Sequence, residues 1–162
     1  MGAKVFWVAG PWQGRLGILP RPRGGDWLGV ETTAWREAGI DVVVSLLEPD
    51  EEAQFVLEGE AAAAAASGVN FTPFPIPDRG VPASRECVAE LANGIVDALE
   101  TGRNVAVHCS QGIGRSGLIV GGVLGSLQRR RIEGIVAHWP ATTGTMATTA
   151  SGKMGPGTNF IP

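Results

Sequence analysis

Residue types that can perform chemistry are concentrated in one short segment, VHCSQGIGRSG, which runs from Val107 to Gly117. A β-branched stretch precedes the segment and a helical pattern follows it, so we expect it to join a buried strand to the start of a helix. Backbone N–H groups converge at such a junction and can cradle an anion. Gly112 and Gly114 permit the close backbone approach that a cradle requires. The segment therefore predicts a phosphate-binding loop.

Cys109 and Arg115 stand at the two ends of this loop, with five residues between them. This spacing lets the guanidinium bind two phosphate oxygens while the sulfur faces the phosphorus. The attacking species is a thiolate, which the helix N-terminus, the loop amides and Arg115 all favour. A cysteine on its own is more often a buried packing residue. The arginine and glycines in register favour a catalytic Cys109 and a phosphate-binding Arg115 instead.

The neighbours of these two residues are expected to support the loop. His108 is predicted to hold it by a hydrogen bond, with a plain strand residue as the alternative. Ser116 is predicted to donate a hydrogen bond to the sulfur and so help it leave as a thiolate. The residues predicted to surround the phosphate, together with Arg115, are Ser110, Gln111, Gly112, Ile113 and Gly114.

The segment HCSQGIGRSG matches the HC-x5-R-S/T signature loop of the protein tyrosine and dual-specificity phosphatases, and PIPDRGVP, residues 75–82, resembles their general-acid loop. The chain most resembles the kinase-associated-phosphatase-like branch and its bacterial relatives, over roughly residues 5 to 130. The resemblance implies that Asp78 is the general acid, although Asp after Pro is also common in turns. It implies a cysteinyl-phosphate intermediate on Cys109 and no cofactor. The sequence has no metal-ligand spacing.

Strand and helix patterns alternate along the rest of the chain, which predicts a single α/β domain. We expect a central, mostly parallel sheet flanked by helices, with the signature loop between the last core strand and a helix. The predicted elements are a hairpin of Val5–Val8 and Leu16–Leu19, a helix over Val30–Ala38, a strand over Asp41–Glu48, a helix capped by Asp50 that continues through Ala61–Ala66, a strand over Val69–Ile76, a helix from Pro82 through Leu99, and a strand over Asn104–His108.

The composition changes near residue 137, where Thr, Gly, Ala and Ser become frequent without any period. We predict a catalytic domain over residues 1–136 and an atypical, disordered tail over residues 137–162. The family that the chain resembles normally continues with two more helices, which often carry a glutamine that positions water. Their absence from the sequence pattern predicts exposed apolar surface and slow hydrolysis of the phosphoenzyme.

Composition restricts the classes of partner. The chain has 162 residues, a net charge of −3 and 44% hydrophobic residues, so we expect neither a nucleic-acid binder nor a membrane protein. The longest apolar stretch, residues 117–127, is too short to span a bilayer. Two cysteines and no leader-like N-terminus favour a reducing cytoplasm. We expect Cys87 to pack in the core, with a redox partnership with Cys109 as the alternative. The oligomeric state stays open.

The expected substrate is a phosphorylated protein carrying phosphotyrosine, phosphoserine or phosphothreonine. The loop interior contains no Lys, which argues against inositol lipids. Two alternatives stay open: a module that binds phosphate or phosphoproteins but turns over poorly, and an enzyme acting on small phosphate esters. Arsenate reduction through Cys109 and Cys87 fits less well, because that chemistry usually needs an additional reactive cysteine pair.

Overall fold

The computed structural model describes residues 2–111 and 114–138, which form five strands and five α-helices. A short 3-10 helix, Gly25–Trp27, leads into the first α-helix. The strands are β1 (Phe6–Val8), β2 (Leu16–Leu19), β3 (Val42–Ser45), β4 (Asn70–Pro73) and β5 (Val105–His108). The helices are α1 (Leu28–Glu37), α2 (Pro49–Gln54), α3 (Glu60–Ala66), α4 (Arg85–Glu100) and α5 (Gly114–Ala137).

The five strands form one sheet in the order β1-β2-β5-β3-β4. β1 and β2 are the predicted antiparallel hairpin, and all other pairs are parallel. All four residues of β5 are buried, and its last residue, His108, lies between Leu19 of β2 and Ser45 of β3. The predicted α/β fold with a mostly parallel sheet is therefore confirmed, and the signature loop follows the central strand.

Helices cover both faces of the sheet, and β5 contributes side chains to both layers. Val105, Val107 and Cys109 belong to the apolar cluster that includes residues of α4 and α5. Ala106 belongs to the cluster that includes residues of α1 and α3. Because side chains alternate along a strand, His108 faces the α1/α3 layer while Cys109 faces the α4/α5 layer.

The prediction of one helix from Asp50 through the alanine run is wrong, because α2 and α3 are separate helices. The helix break brings Leu57 into a buried cluster with Leu28 and Leu47. Tertiary burial of this leucine therefore overrides the high helix propensity of the flanking residues. Val56 takes a positive φ of 56° within the break. The residue that caps α2 is Glu48 rather than Asp50, and its backbone N–H donates to Oε2 of Glu51 over 3.0 Å.

The fourth helix begins at Arg85, three residues after the predicted start at Pro82. Ser84 caps it, because its Oγ accepts hydrogen bonds from the N–H groups of Glu86 and Cys87. This first turn projects from the core, and Cys87 is exposed. The prediction that Cys87 packs in the core is therefore wrong.

The last helix, α5, runs to Ala137 and presents apolar side chains to solvent near its end. Ile132, Ile135 and Val136 are each more than half exposed. Residues 139–162, with most of the predicted tail, lie outside the described residues, so the domain boundary stays a prediction. Within residues 2–111 and 114–138, no helix is both long enough and apolar enough to cross a membrane.

Candidate active site

The signature loop and the loop after β4 open onto one cavity of about 450 Å³. The chain turns from β5 into α5 here, so both ends of the signature loop reach the cavity wall. Three predicted residues, Cys109, Arg115 and Asp78, line this cavity together. The other lining residues are Arg79, Gly80, Val81, Ser110, Gln111, Gly114 and Leu118. Gly112 and Ile113, which were predicted to surround the phosphate, lie outside the described residues.

Cys109 is almost completely buried, with 3% of its surface exposed, although it borders the cavity. It directly follows β5, and Gly114 begins α5 only five residues later. A sulfur placed before a helix N-terminus lies at the positive end of the helix dipole, which favours a thiolate. The guanidinium of Arg115 adds a fixed positive charge to the same cavity.

The guanidinium of Arg115 is held in a fixed orientation by Glu51 of α2. Nη1 donates to Oε2 over 2.6 Å, and Nη2 donates to Oε1 over 2.7 Å. Nη1 also contacts the carbonyl oxygens of Leu46, at 3.2 Å, and Ile76, at 2.8 Å. Such a two-pronged pair fixes the plane of the guanidinium. Arg115 therefore enters the cavity already oriented for an anion.

This pair changes the acidity of both partners. The hydrogen bonds from Arg115 hold the pKa of Glu51 below its usual range, although burial of the carboxyl acts in the opposite direction. The hydrogen bonds to Glu51 raise the pKa of Arg115, and the nearby acidic groups of Cys109 and Asp78 act in the same direction. Both members of the pair are therefore charged at neutral pH.

Asp78 lies at the mouth of the cavity, with 66% of its side chain exposed. Its Oδ1 is 3.7 Å from Nη2 of Arg115, and its backbone N–H donates to Oε2 of Glu48 over 3.3 Å. Arg79 follows with a positive φ of 56°, and the N–H of Gly80 donates to the carbonyl of Pro77. The turn thus presents the carboxyl group beside the guanidinium while leaving it accessible.

The role of His108 in holding the loop stays a prediction, and its ring lies on the α1/α3 face of the sheet. Nε2 is 2.8 Å from Oε1 of Glu60, and the ring centroid is 6.3 Å from that of Trp35. Ser116 is fully buried, and its Oγ has no hydrogen-bond partner among the residues that the structure describes. Its predicted role beside the sulfur stays a prediction.

Two acidic residues that contact the signature segment, Glu51 and Glu60, were missed from the sequence. Glu51 was interpreted only as a favourable charge in the first turn of a helix. Glu48 and Glu51 form a capping box in the structure, but such a box normally begins with Ser or Thr, so their spacing was no signal of a contact with Arg115. Glu60 carried no signal either, because an acidic residue that begins a helix is normally exposed. In the described part of the chain, no group of three or more His, Cys, Asp or Glu could hold a metal ion.

A family model described as a DSP-PTPase phosphatase of polymorphic toxin systems matches residues 27–126, more than half of the 162 residues. The chain belongs to this family. It is therefore a phosphatase of the DSP-PTPase type, and the matched range includes every residue that lines the cavity. The predicted relationship to the cysteine-based phosphatases is confirmed. None of the curated proteins matches the chain.

Solved phosphatase structures share the fold. The kinase-associated phosphatase, solved with its catalytic-site cysteine replaced by serine, superposes with a TM-score of 0.69 at 18% identity, over 78% of this chain and 75% of its own. Tk-PTP in its active form has a TM-score of 0.56 at 25% identity and covers 84% of both chains. A Leishmania major protein described as a tyrosine phosphatase has a TM-score of 0.56 at 19% identity, over 87% of this chain and 91% of its own.

Proposed function

We propose that this phosphatase hydrolyses phosphomonoesters on proteins, at phosphotyrosine, phosphoserine or phosphothreonine, through a cysteinyl-phosphate intermediate. One observation carries the proposal. Cys109, Arg115 and Asp78 line the same cavity, and the guanidinium that would bind the phosphate is already oriented by Glu51. A nucleophile, an anion-binding group and an acid in one cavity are the parts that phosphoryl transfer requires.

In the first step, the thiolate of Cys109 attacks phosphorus. An S–P bond forms while the P–O bond to the leaving group breaks, and Asp78 gives its proton to the departing oxygen. Arg115 binds two of the non-bridging phosphate oxygens, where negative charge is concentrated in the transition state. Because Glu51 fixes the guanidinium beforehand, little reorganisation is needed at the moment of reaction.

In the second step, water attacks the phosphorus of the cysteinyl-phosphate and loses a proton to Asp78. The S–P bond breaks, which releases inorganic phosphate and restores the thiolate. The exposed position of Asp78, at the mouth of the cavity, supports both proton transfers, since the leaving group and the incoming water reach the phosphorus from the solvent side. The substrate supplies the phosphoryl group, and side chains and water supply the other atoms that take part in these two steps.

The relatives support this assignment by analogy. The structure of the kinase-associated phosphatase is described with a cysteine at its catalytic site. Tk-PTP, the more similar of the two in sequence, was solved in a form described as active. We infer that Cys109 is the corresponding nucleophile here, and that the cavity accepts a phosphorylated side chain on a protein.

The test compares the full chain with its Cys109→Ser variant on an aryl phosphate and on phosphopeptides, with kcat/KM measured for each. We expect turnover of all substrates by the parent and none by the variant, with a higher kcat/KM for phosphopeptides. Rapid acid quenching should trap phosphate on the parent protein. A single burst without further turnover would instead identify a phosphate-binding module, and a preference for small esters would identify an enzyme of small phosphate esters. Equal turnover by the variant would exclude Cys109 as nucleophile.

A further inference from the structure

A titratable pair lies sealed under the sheet, on the α1/α3 face, and the proposed reaction does not use it. Glu60, the first residue of α3, is 1% exposed, and His108, the last residue of β5, is fully buried. Ser45, the register partner of His108 on β3, is buried as well. The described residues offer no hydrogen-bond partner to the Ser45 hydroxyl.

The contact between Glu60 and His108 has the length of a hydrogen bond. Nε2 and Oε1 are 2.8 Å apart, and neither atom has another partner among the described residues. Two bare acceptors this close inside an apolar layer would repel each other. One proton must therefore lie between Nε2 and Oε1.

Stability alone does not account for this pair. The surrounding layer is apolar, with Trp35, Ile40 and Val43 among its buried residues. Burying a carboxyl group there is unfavourable unless it is well paired, and replacing such a pair by apolar side chains is often neutral or stabilising. Apolar residues at both positions 60 and 108 would pack against this layer without that penalty.

The pair acts on the residue that directly precedes the nucleophile. The carbonyl of His108 accepts a hydrogen bond from the N–H of Leu46 over 3.0 Å, which fixes its backbone. On the α1/α3 face of the sheet, Glu60 restrains the side chain of His108. The strand end from which the signature loop starts is thus held by both backbone and side chain, and small displacements at this point would be transmitted to Cys109.

We propose that Glu60 is a positioning residue of this phosphatase, which holds the imidazole of His108 and thereby fixes the strand end that places Cys109. The inference rests on the proposed function, since it assigns Glu60 to that reaction. Glu60 touches neither the substrate nor the sulfur and acts through His108 alone. The pair is retained for the geometry of the nucleophile rather than for stability.

Other charged groups near the pair must be distinguished from it. Burial raises the pKa of Glu52, on α2, and the Glu60 carboxylate adds to that rise while His108 opposes it. Glu58, in the exposed turn before α3, contributes a smaller effect of the same sign as Glu60. Glu58 therefore offers a matched control, because it is an exposed glutamate two residues away on the same segment.

The first experiment measures kcat, KM and the melting temperature for Glu60→Leu, Glu60→Gln and Glu58→Leu in the full chain. We expect kcat of Glu60→Leu to fall by about a hundredfold with little change in KM, as a displaced nucleophile would produce, and its melting temperature to fall because the buried His108 imidazole loses its partner. Glu60→Gln should restore most of kcat, because its amide oxygen can accept the Nε2–H proton. Glu58→Leu should leave kcat unchanged. An unchanged kcat in Glu60→Leu, whatever its melting temperature, would overturn the proposal.

The second experiment follows alkylation of Cys109 by iodoacetamide across pH, in a Cys87→Ser background because Cys87 is exposed. It requires no turnover, so it separates failure of this inference from failure of the proposed function. We expect Glu60→Leu to slow alkylation at neutral pH by about tenfold. Cys109 in the variant carrying both Glu60→Leu and His108→Leu should be alkylated no more slowly than in His108→Leu alone. If Glu60→Leu does not fold, this comparison tests the proposal in its place. Additive effects of the two substitutions, or an unchanged alkylation rate, would contradict the proposal.

Discussion

Two glutamates approach the signature loop from different sides, and their environments differ. Glu51 binds Arg115 with two short, aligned hydrogen bonds at the edge of the cavity, where its side chain keeps 15% of its surface exposed. Glu60 meets His108 with one short contact in a layer that excludes solvent. The first pair orients the group proposed to bind phosphate, and the second restrains the strand before the nucleophile. A catalytic loop is thus supported at its two ends by different chemistry.

The two pairs differ in what would change if the glutamate were removed. Arg115 is charged with or without Glu51, so Glu51 chiefly sets its direction and balances its charge. Removing Glu51 would therefore leave a cation free to reorient toward the phosphate or toward Asp78. Removing Glu60 would leave no excess charge in the cavity but would loosen the strand end.

The largest effect is expected from Arg115→Lys, which breaks the cavity-side pair at the cation. Lysine keeps the charge but cannot form two parallel hydrogen bonds to Glu51 and to the phosphate. We expect kcat/KM for an aryl phosphate to fall by about a thousandfold, as for loss of a transition-state donor. Arg130→Lys is the matched control, because Arg130 also bonds a carboxylate, Asp97, at 2.6 Å but lies on the surface. Comparable losses in both variants would contradict a special role for Arg115.

The next largest effect is expected from Asp78→Asn. This variant distinguishes the role of Asp78 from that of Glu51, the other carboxylate near the guanidinium of Arg115. Glu51 is bonded to Nη2 at 2.7 Å, whereas Asp78 stands 3.7 Å away and open to solvent. Loss of general acid catalysis should lower kcat/KM by about a hundredfold and abolish the alkaline limb of its pH profile. Substrates with better leaving groups should lose less. Asp26→Asn, at an exposed position outside the cavity, should leave the profile unchanged.

A smaller effect is expected from Glu51→Gln, which keeps the shape of the pair but removes its charge. We expect kcat/KM to fall by about tenfold and stability at pH 7 to fall by about 1.5–3 kcal/mol, the range for a hydrogen bond to a charged group. Because folding lowers the pKa of Glu51 from an ordinary value of 4.5, its contribution is present above that value and is lost as pH falls through the folded-state pKa.

The measurement for this variant is denaturant unfolding of parent and Glu51→Gln from pH 7 down to pH 3. The stability gap between them should narrow as the pH falls below about 4.5, the ordinary value for this carboxyl. Glu58→Gln, which changes an exposed glutamate, supplies the control. A gap that stays constant across this range would mean that the charge of Glu51 contributes nothing to the pair.

The contrast between the two glutamates also explains what the sequence could and could not predict. The signature loop is a local pattern, so the spacing of Cys109 and Arg115 was readable from consecutive residues. Glu51 and Arg115 are 64 positions apart, and their contact depends on how α2 docks beside the sheet. Glu60 faces His108 only because α3 starts where it does, and α3 starts there because burial of Leu57 interrupts the helix. Gly59, the N-cap of α3, is a local signal of that interruption, but a lone glycine before an alanine run is a weak one.

The smallest effect concerns the turn that separates the two glutamates. Val56 adopts a positive φ of 56° there although its β-branched side chain disfavours it, and 57% of its surface is exposed. Its carbonyl oxygen accepts a hydrogen bond from the N–H of Gly25 over 2.8 Å, which any residue could supply. Val56→Asn should therefore stabilise the protein by about 1 kcal/mol, because asparagine tolerates this conformation, while kcat stays unchanged. Thermal unfolding measures the first effect. A gain in stability accompanied by a loss of activity would show instead that strain in this turn helps to set the positions of α2 and α3.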